Sequence, residues 1–351
     1  MTSTRIAISD SPGERRVAAI DPQDRAFRLF VQRWDGVGQP IRHGQTAQAR
    51  IRDIVRDQGG AFLELDSGEE AFLRSADLGA QTQGAAVYVR CVASKRAGKL
   101  ARVTLIDERE HADHDAFSAW LASLPDDGFS AEQITGADAD EMVDIAFDEA
   151  LSPMVGIPGG GRLSIDRTTA LVAFDIDSAG RQGRGSAAAR ALSTNRDAAT
   201  EAARQLSLRD LGGLAVLDCI APINRDGGQQ IKARLGDTFA RFSPRRLQTL
   251  PPSPFGLLEM SLEWGSTPVS DLMLDATGAP TAETDLLTAL RTAQRTLRSE
   301  PGAFYTLELA RSVHAVWQSR KPACDTLLRE RLSGRLTIEA APAPETSMRR
   351  R

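Results

Sequence analysis

Two apolar runs with a helical stretch between them set the tightest limit on how this chain can fold. Leu171-Val-Ala-Phe-Asp-Ile-Asp-Ser-Ala-Gly180 and Leu208-Arg-Asp-Leu-Gly-Gly-Leu-Ala-Val-Leu-Asp218 each read as a strand carrying an aspartate near its C-terminal end. From about Ala187 to Leu208, small or apolar residues recur at Ala191, Leu192, Ala198, Ala199, Ala202, Ala203 and Leu206, one face of a helix. Strand, helix and strand make a βαβ unit, which tends to set its two strands side by side. Asp175 and Asp218 then meet at one sheet edge. Carboxylates so placed repel each other unless a cation sits between them. Hard oxygen ligands from one or two side chains, completed by water, suit Mg²⁺ better than zinc. The expectation is phosphate chemistry with Asp175 and Asp218 as metal ligands. Asp177 shares their face if the strand continues.

With 351 residues the chain has room for two or three domains, and 41% hydrophobic content against 26% charged is that of a globular protein. Cys91, Cys219 and Cys324 lie far apart, with no Cys-x-x-Cys, so neither a sequence-local zinc knuckle nor a disulfide framework is expected. No apolar run of roughly 18 residues appears, and a cytoplasmic protein without membrane contact is expected. The formal charge of −4 argues against nucleic acid, but its distribution matters more than its sum. Arg181, Arg184, Arg190, Arg196, Arg204 and Arg209 cluster beside the aspartate pair, and Lys232, Arg234, Arg241, Arg245 and Arg246 follow it. Arginines beside a phosphate-type metal site suggest backbone contacts, with Arg181 and Arg184 nearest.

The chain reads as an α+β multidomain protein. Residues 1–40 hold short strands (5–9, 16–20, 26–31) separated by Pro and Gly turn signals. Residues 41–107 hold five more (47–52, 61–65, 70–73, 86–92, 101–106), a spacing that suggests an OB-fold barrel. An acidic, partly helical connector (108–158) leads to an α/β domain (159–270), where 229–242 reads as a helix and 257–262 as a strand. A small C-terminal region (271–340) shows two helices, 284–298 and 304–318, a further segment 327–336, and a strand, 335–339. The Ala- and Pro-rich tail, 341–351, is expected to be disordered. Gly212 and Gly213 fit a helix C-cap, and Asp210 is expected to cap the turn or pair with Arg209.

Three segments carry a resemblance. Gly159-Gly-Gly-Arg-Leu-Ser-Ile-Asp through Gly180, Asn195-Arg-Asp-Ala-Ala-Thr-Glu through Asp218, and Phe255-Gly-Leu-Leu-Glu-Met-Ser261 resemble, in order, the catalytic core of the ribonuclease E/G family. The resemblance implies a Mg²⁺-dependent endoribonuclease with a DNase I-like subdomain, acting on single-stranded RNA in processing or decay. Asp175 and Asp218 match the family's magnesium ligands. Asp177 stands where the family usually has an Asn that positions a metal-bound water. Phe62, Phe72 and Lys99 match barrel positions that contact RNA, and an exposed Phe offers bases a stacking surface. Where the family continues from its second aspartate with another acid and Met, this chain has Ile220-Ala221-Pro222, and Pro254 replaces a common Arg. The connector is too short for the family's insertion that holds the RNA 5′ end. Val269-Ser-Asp-Leu-Met-Leu-Asp-Ala276 replaces its Cys-Pro-x-Cys element, so no zinc-linked subunit contact is expected, while homo-oligomers stay open. Retention of both aspartates favours the enzyme. The altered flanks leave a catalytically weakened RNA binder as the alternative, and the acidic segment a protein-docking scaffold.

Overall fold

Period-two alternation governs the first hundred residues. The computed structural model describes residues 4–34, 40–96, 98–111, 115–125, 130–179, 181, 185–332, 334–342 and 345–351, without the side chains of 321–331. Strands β1 (Arg5–Ser11), β2 (Glu14–Ile20) and β3 (Ala26–Arg33) come first. Five more close into a barrel: β4 (Thr46–Val55), β5 (Gly60–Leu65), β6 (Glu70–Arg74), β7 (Ala86–Ala93) and β8 (Ala101–Ile106), with a helical turn α1 (Ser75–Leu78) after β6. Their order is β4-β5-β6-β8-β7; β6 and β8 are parallel and the other pairs antiparallel. Ala49, Ile51, Ala61, Leu63, Ala71, Leu73, Val89 and Val103 point inward and are buried. Mixing Ala with larger residues fills the narrow interior of a small barrel.

The connector forms α2 (Ala116–Ala122), β9 (Glu132–Ile134) and α3 (Ala137–Leu151); β9 runs parallel to the start of β1. The expected βαβ unit then appears. Strands β10 (Met154–Gly156), β11 (Arg162–Arg167), β12 (Leu171–Asp177), β13 (Gly213–Asp218), β14 (Leu247–Thr249) and β15 (Leu257–Leu262) form a six-stranded sheet in the order β10-β11-β12-β13-β15-β14. Helix α4 (Ala187–Leu208) crosses between β12 and β13, which pair in parallel, and α5 (Arg225–Phe242) follows. Ser186 caps α4, its Oγ accepting from Ala189 N, and Asn224 caps α5, which begins four residues before the expected start.

One face of this sheet is apolar. Val172, Phe174, Ile176, Ala215, Leu217, Leu258 and Met260 pack with Ala198, Ala199, Ala202, Ala203 and Leu206 of α4 and Ile231, Leu235 and Phe239 of α5. The alanine stripe lets the helix approach closely, and each large side chain buried here contributes about 1.5–3 kcal/mol. The opposite face carries Asp175, Asp177, Leu214, Asp218, Glu259 and Ser261, all exposed.

The α4 C-terminus corrects two expectations. Asp210, not a glycine, takes the left-handed position (φ 52°), and Leu211 N donates to Leu206 O. Asp210 is buried against Arg245 (3.7 Å) rather than paired with Arg209. Gly212 and Gly213 are required by Trp264 instead, whose ring lies 2.9 Å from where either Cβ would stand.

By contact density, residues 1–7, 18–29 and 38–269 form one unit, and 8–17, 30–37 and 270–351 a second. The second contains α7 (Ala282–Ser299), β16 (Tyr305–Leu309), α8 (Arg311–Leu332), β17 (Leu336–Ala340) and β18 (Ser347–Arg350), preceded by the short α6 (Val269–Met273) at the boundary. Its sheet runs β17-β16-β18 over a core of Leu286, Leu290, Leu307, Leu309 and Trp317. Two expectations fail here. The start of the expected 304–318 helix is strand β16, central in its sheet with Tyr305, Thr306, Leu307 and Leu309 all buried. The tail expected to be disordered ends in β18, antiparallel to β16, with Arg349 Nε donating to Glu308 Oε1 at 2.6 Å. The C-terminal region is thus α/β. In the same unit Glu14 is fully buried among Arg16, Arg33 and Arg291. Burial pushes its carboxyl up, but the three guanidiniums prevail and hold it below the usual glutamate range.

Candidate metal and RNA site

The β12–β13 register sets Asp175 directly opposite Asp218. Parallel neighbours in register stand one strand spacing apart, about 4.8 Å. Both side chains lie on the open face, and neither carboxylate has a hydrogen-bond or ion-pair partner among the described residues. The same row continues to Ser164 on β11 and Leu257 on β15. Among the described residues no three His, Cys, Asp or Glu side chains gather closely enough to hold a metal together. Two unpaired carboxylate groups, open to water, nevertheless fit an ion such as Mg²⁺, which keeps most of its hydration shell and takes one or two protein oxygens. The donor set does not suit zinc.

The surroundings hold the pair in place. Asp177 lies on the same face, and its Oδ1 accepts from Ala179 N (2.8 Å), closing a turn after β12. Its second oxygen has no partner among the described residues. Buried Asn195 of α4 clamps the loop after Asp218: Nδ2 donates to Ile220 O (2.9 Å) and Oδ1 accepts from Ile220 N (2.8 Å). Gly256, at φ +89°, backs Asp218, and a Cβ there would stand 3.1 Å from Cys219 O. That loop also contains the cis Ala221–Pro222 bond. Asn195 was legible only as part of a motif, because its role depends on the fold returning α4 past β13.

The expected arginine cluster is reassigned. Arg181 faces inward, its guanidinium donating to Pro158 O (2.9 Å), Gly160 O (3.2 Å), Ser193 Oγ (3.2 Å) and Asp197. It braces the Gly159–Gly161 turn instead of facing RNA. Arg184 lies outside the described residues. Arg204 is buried against Glu149, Glu201 and Ala26 O. Arg209 donates to Glu149 O and Ser152 O, and Arg245 to Leu211 O and Glu263 O. Burial depresses Arg204, but the two carboxylates prevail and raise it above the ordinary arginine value. These side chains hold the interior together.

The barrel residues fare differently. Phe62 and Phe72 are direct cross-strand partners on β5 and β6, alternating with inward Ala61, Leu63, Ala71 and Leu73. They are half-buried on the outer wall, edge to face with ring centroids 5.5 Å apart. Neither is part of the barrel core. Lys99 is exposed in the turn before β8. Three residues that the sequence did not single out, Arg74 and Arg102 of the barrel and Trp264 beside the sheet, line one cleft together with Arg246 of the expected arginine cluster.

Residues 130–263 match the family model described as Ribonuclease E/G family. Ribonuclease E of Haemophilus influenzae is 43% identical over 122 residues, 34% of this chain and 13% of that protein. Ribonuclease E of Escherichia coli is 41% identical over 122 residues, 34% of this chain and 11% of the relative. The chain therefore matches only about an eighth of the length of these relatives. Among solved structures, a multidomain protein with nucleic acid binding domains from Streptococcus pneumoniae covers 27% of this chain and 36% of its own, at 14% identity and a TM-score of 0.18. That likeness is too slight to bear on the fold. The matched stretch, which holds Asp175, Asp177 and Asp218, is similar to the ribonuclease E/G family. The barrel lies outside the matched stretch.

Proposed function

We propose that this chain is an endoribonuclease that hydrolyses phosphodiester bonds of single-stranded RNA, in RNA processing or decay, with Mg²⁺ as its cofactor. The observation that carries the reading is the in-register placement of Asp175 and Asp218, unpartnered on an open sheet face inside the family-matched domain. These two carboxylates would hold the ion, which when bound supplies charge stabilisation to the phosphate and a site for water. Asp177 keeps one oxygen free to accept a hydrogen bond from a water beside the pair. Asn195 keeps the Asp218 strand end at a fixed distance from α4.

We read the barrel as an OB fold that grips the substrate, and the six-stranded sheet with α4 and α5 as a DNase I-like subdomain. The strand order with its parallel β6–β8 closure supports the first assignment. Phe62 and Phe72 present partly open rings for base stacking, worth about 1–3 kcal/mol per base, and Lys99 adds a charge. No described helix is long and apolar enough to cross a membrane.

The test is cleavage of an end-labelled single-stranded RNA by the full chain in Mg²⁺ and in EDTA. Internal cleavage that requires Mg²⁺ is expected. Binding without cleavage in either buffer would overturn the enzymatic reading in favour of an RNA-binding relative.

A further inference from the structure

The open sheet face is acidic at one end, where Asp175, Asp177, Asp218 and Glu259 stand exposed. By itself such a surface repels a nucleic acid. Its other end is built differently. Leu214 on β13, Ser261 on β15 and Gln248 on β14 share a register row four residues before Asp218, about 13 Å along the strand. This row forms the floor of a cleft of about 360 Å³ whose walls are Arg74 and Arg102 of the barrel, Arg246, Glu263 and Trp264. Three guanidiniums face one carboxylate there.

Two of the cleft's three arginines have no side-chain hydrogen bond among the described residues. Arg102 Nε is buried and has no hydrogen-bond partner among the described residues. Arg102 stands directly opposite Phe72 in the β6–β8 pairing, so it continues the aromatic wall towards the cleft. Arg74 Nε donates to Asp77 Oδ2 at 3.2 Å. The exposed Arg246 side chain has no hydrogen-bond partner among the described residues. Burial, and then the neighbouring Arg74, lowers Arg102 from the ordinary arginine value, while Glu263 and Asp77 act in the other direction. Trp264 is fixed between Gly212 and Gly213 on one side and the Arg96 guanidinium, 4.3 Å from its ring centroid, on the other. It serves as a rigid wall, with no ring face left for a base.

We propose that this cleft is a phosphate-binding subsite for the RNA backbone, in which Arg102, Arg246 and Arg74 take phosphodiester oxygens of the strand a few nucleotides from the bond held at Asp175 and Asp218. It rests on the reading of the chain as an RNA-binding nuclease. The subsite supplies the attraction that the acidic end of the face lacks. It also links the Phe62–Phe72 wall to the aspartates across the surface of a single unit. Guanidiniums suit the task because they stay charged when partly buried and donate in a fork that matches phosphate oxygens.

The test is binding of a fluorescent single-stranded RNA to the full chain, followed by anisotropy in EDTA over a range of salt. Each phosphate contact on a single strand contributes about 0.7 to the slope of log K against log salt. An Arg102→Gln, Arg246→Gln variant should bind at least tenfold more weakly and lose about 1.4 from that slope, with an unchanged melting temperature. Arg102→Lys with Arg246→Lys, which keeps both charges, should recover most of the slope. A Gln variant with the parent's slope and affinity would overturn the subsite, as would a parent that binds no RNA. Failure of the nuclease reading looks different: the parent binds with the expected slope but cuts nothing in Mg²⁺.

Discussion

Helix α4 and the cleft beside the barrel both hold arginines that are wholly or partly shielded from water, and they hold them in opposite ways. Arg204 is enclosed by Glu149, Glu201 and a backbone carbonyl, and its charge is raised to a more secure state by those partners. Arg102 has a buried Nε with no hydrogen-bond partner among the described residues, beside another arginine. The first arrangement is what a fold needs, because a buried charge must be paired. The second is what a binding surface tolerates, because the missing partner arrives with the ligand. The charge pattern placed RNA backbone contacts on the arginines next to the aspartates in sequence. In the fold Arg181, Arg204, Arg209 and Arg245 are structural, and the cleft joins Arg246 of that cluster to Arg74 and Arg102 of the distant barrel.

The contrast is sharpest in stability. Replacing Arg204 by Met leaves Glu149 and Glu201 without their shared cation, and removing one partner of a buried ion pair costs about 3–5 kcal/mol. The free energy of urea unfolding of the variant should be lower by that amount. Arg102→Gln should leave that free energy within about 0.5 kcal/mol of the parent. If Arg102→Gln also unfolds the protein, the distinction between the two regions fails.

A smaller effect concerns the barrel wall. The Phe62→Ala, Phe72→Ala double change should weaken binding of single-stranded RNA by about 2–4 kcal/mol if both rings stack. Both side chains point away from the barrel interior, so circular dichroism and the melting temperature should stay near the parent. A protein that unfolds instead would make these rings packing residues of the wall.

The smallest effect expected is at the RNA 5′ end. Helix α3 exposes Asp138, Asp148 and Glu141 on the connector, a surface that repels a terminal phosphate. Initial rates on one RNA bearing a 5′ monophosphate or a 5′ hydroxyl should agree within about tenfold, or 1.4 kcal/mol. A larger preference for the monophosphate would show that the arginine cleft takes chain ends as well as internal phosphates.

What was legible in the sequence follows from which interactions are local. The bounds of α4 could be read because Ala and Leu recur at helical spacing after Ser186, and the β12–β13 pairing follows from that helix. The outward aspect of Phe62 and Phe72 follows from alternation with alanine and leucine. Strand β16 was hidden because Tyr305-Thr-Leu-Glu-Leu309 is buried on both faces and short apolar runs look alike in helices and strands. Strand β18 was hidden by the composition around it. Whether a guanidinium turns inward is set by acceptors elsewhere in the fold: Arg181 meets the carbonyls of Pro158 and Gly160, which no spacing rule connects to it. The cleft joins Arg74, Arg102 and Arg246 only through the packing of barrel against sheet.

The central claim is that Asp175 and Asp218 act as one cation site, and single-turnover cleavage rates in Mg²⁺ for a double-mutant cycle test it most directly. Asp175→Asn and Asp218→Asn should each lower the rate about a thousandfold, roughly 4 kcal/mol of transition-state stabilisation. Because both would act through the same ion, the double variant should be little slower than either single one. Single variants within a few-fold of the parent, or losses that multiply in the double variant, would contradict a shared site.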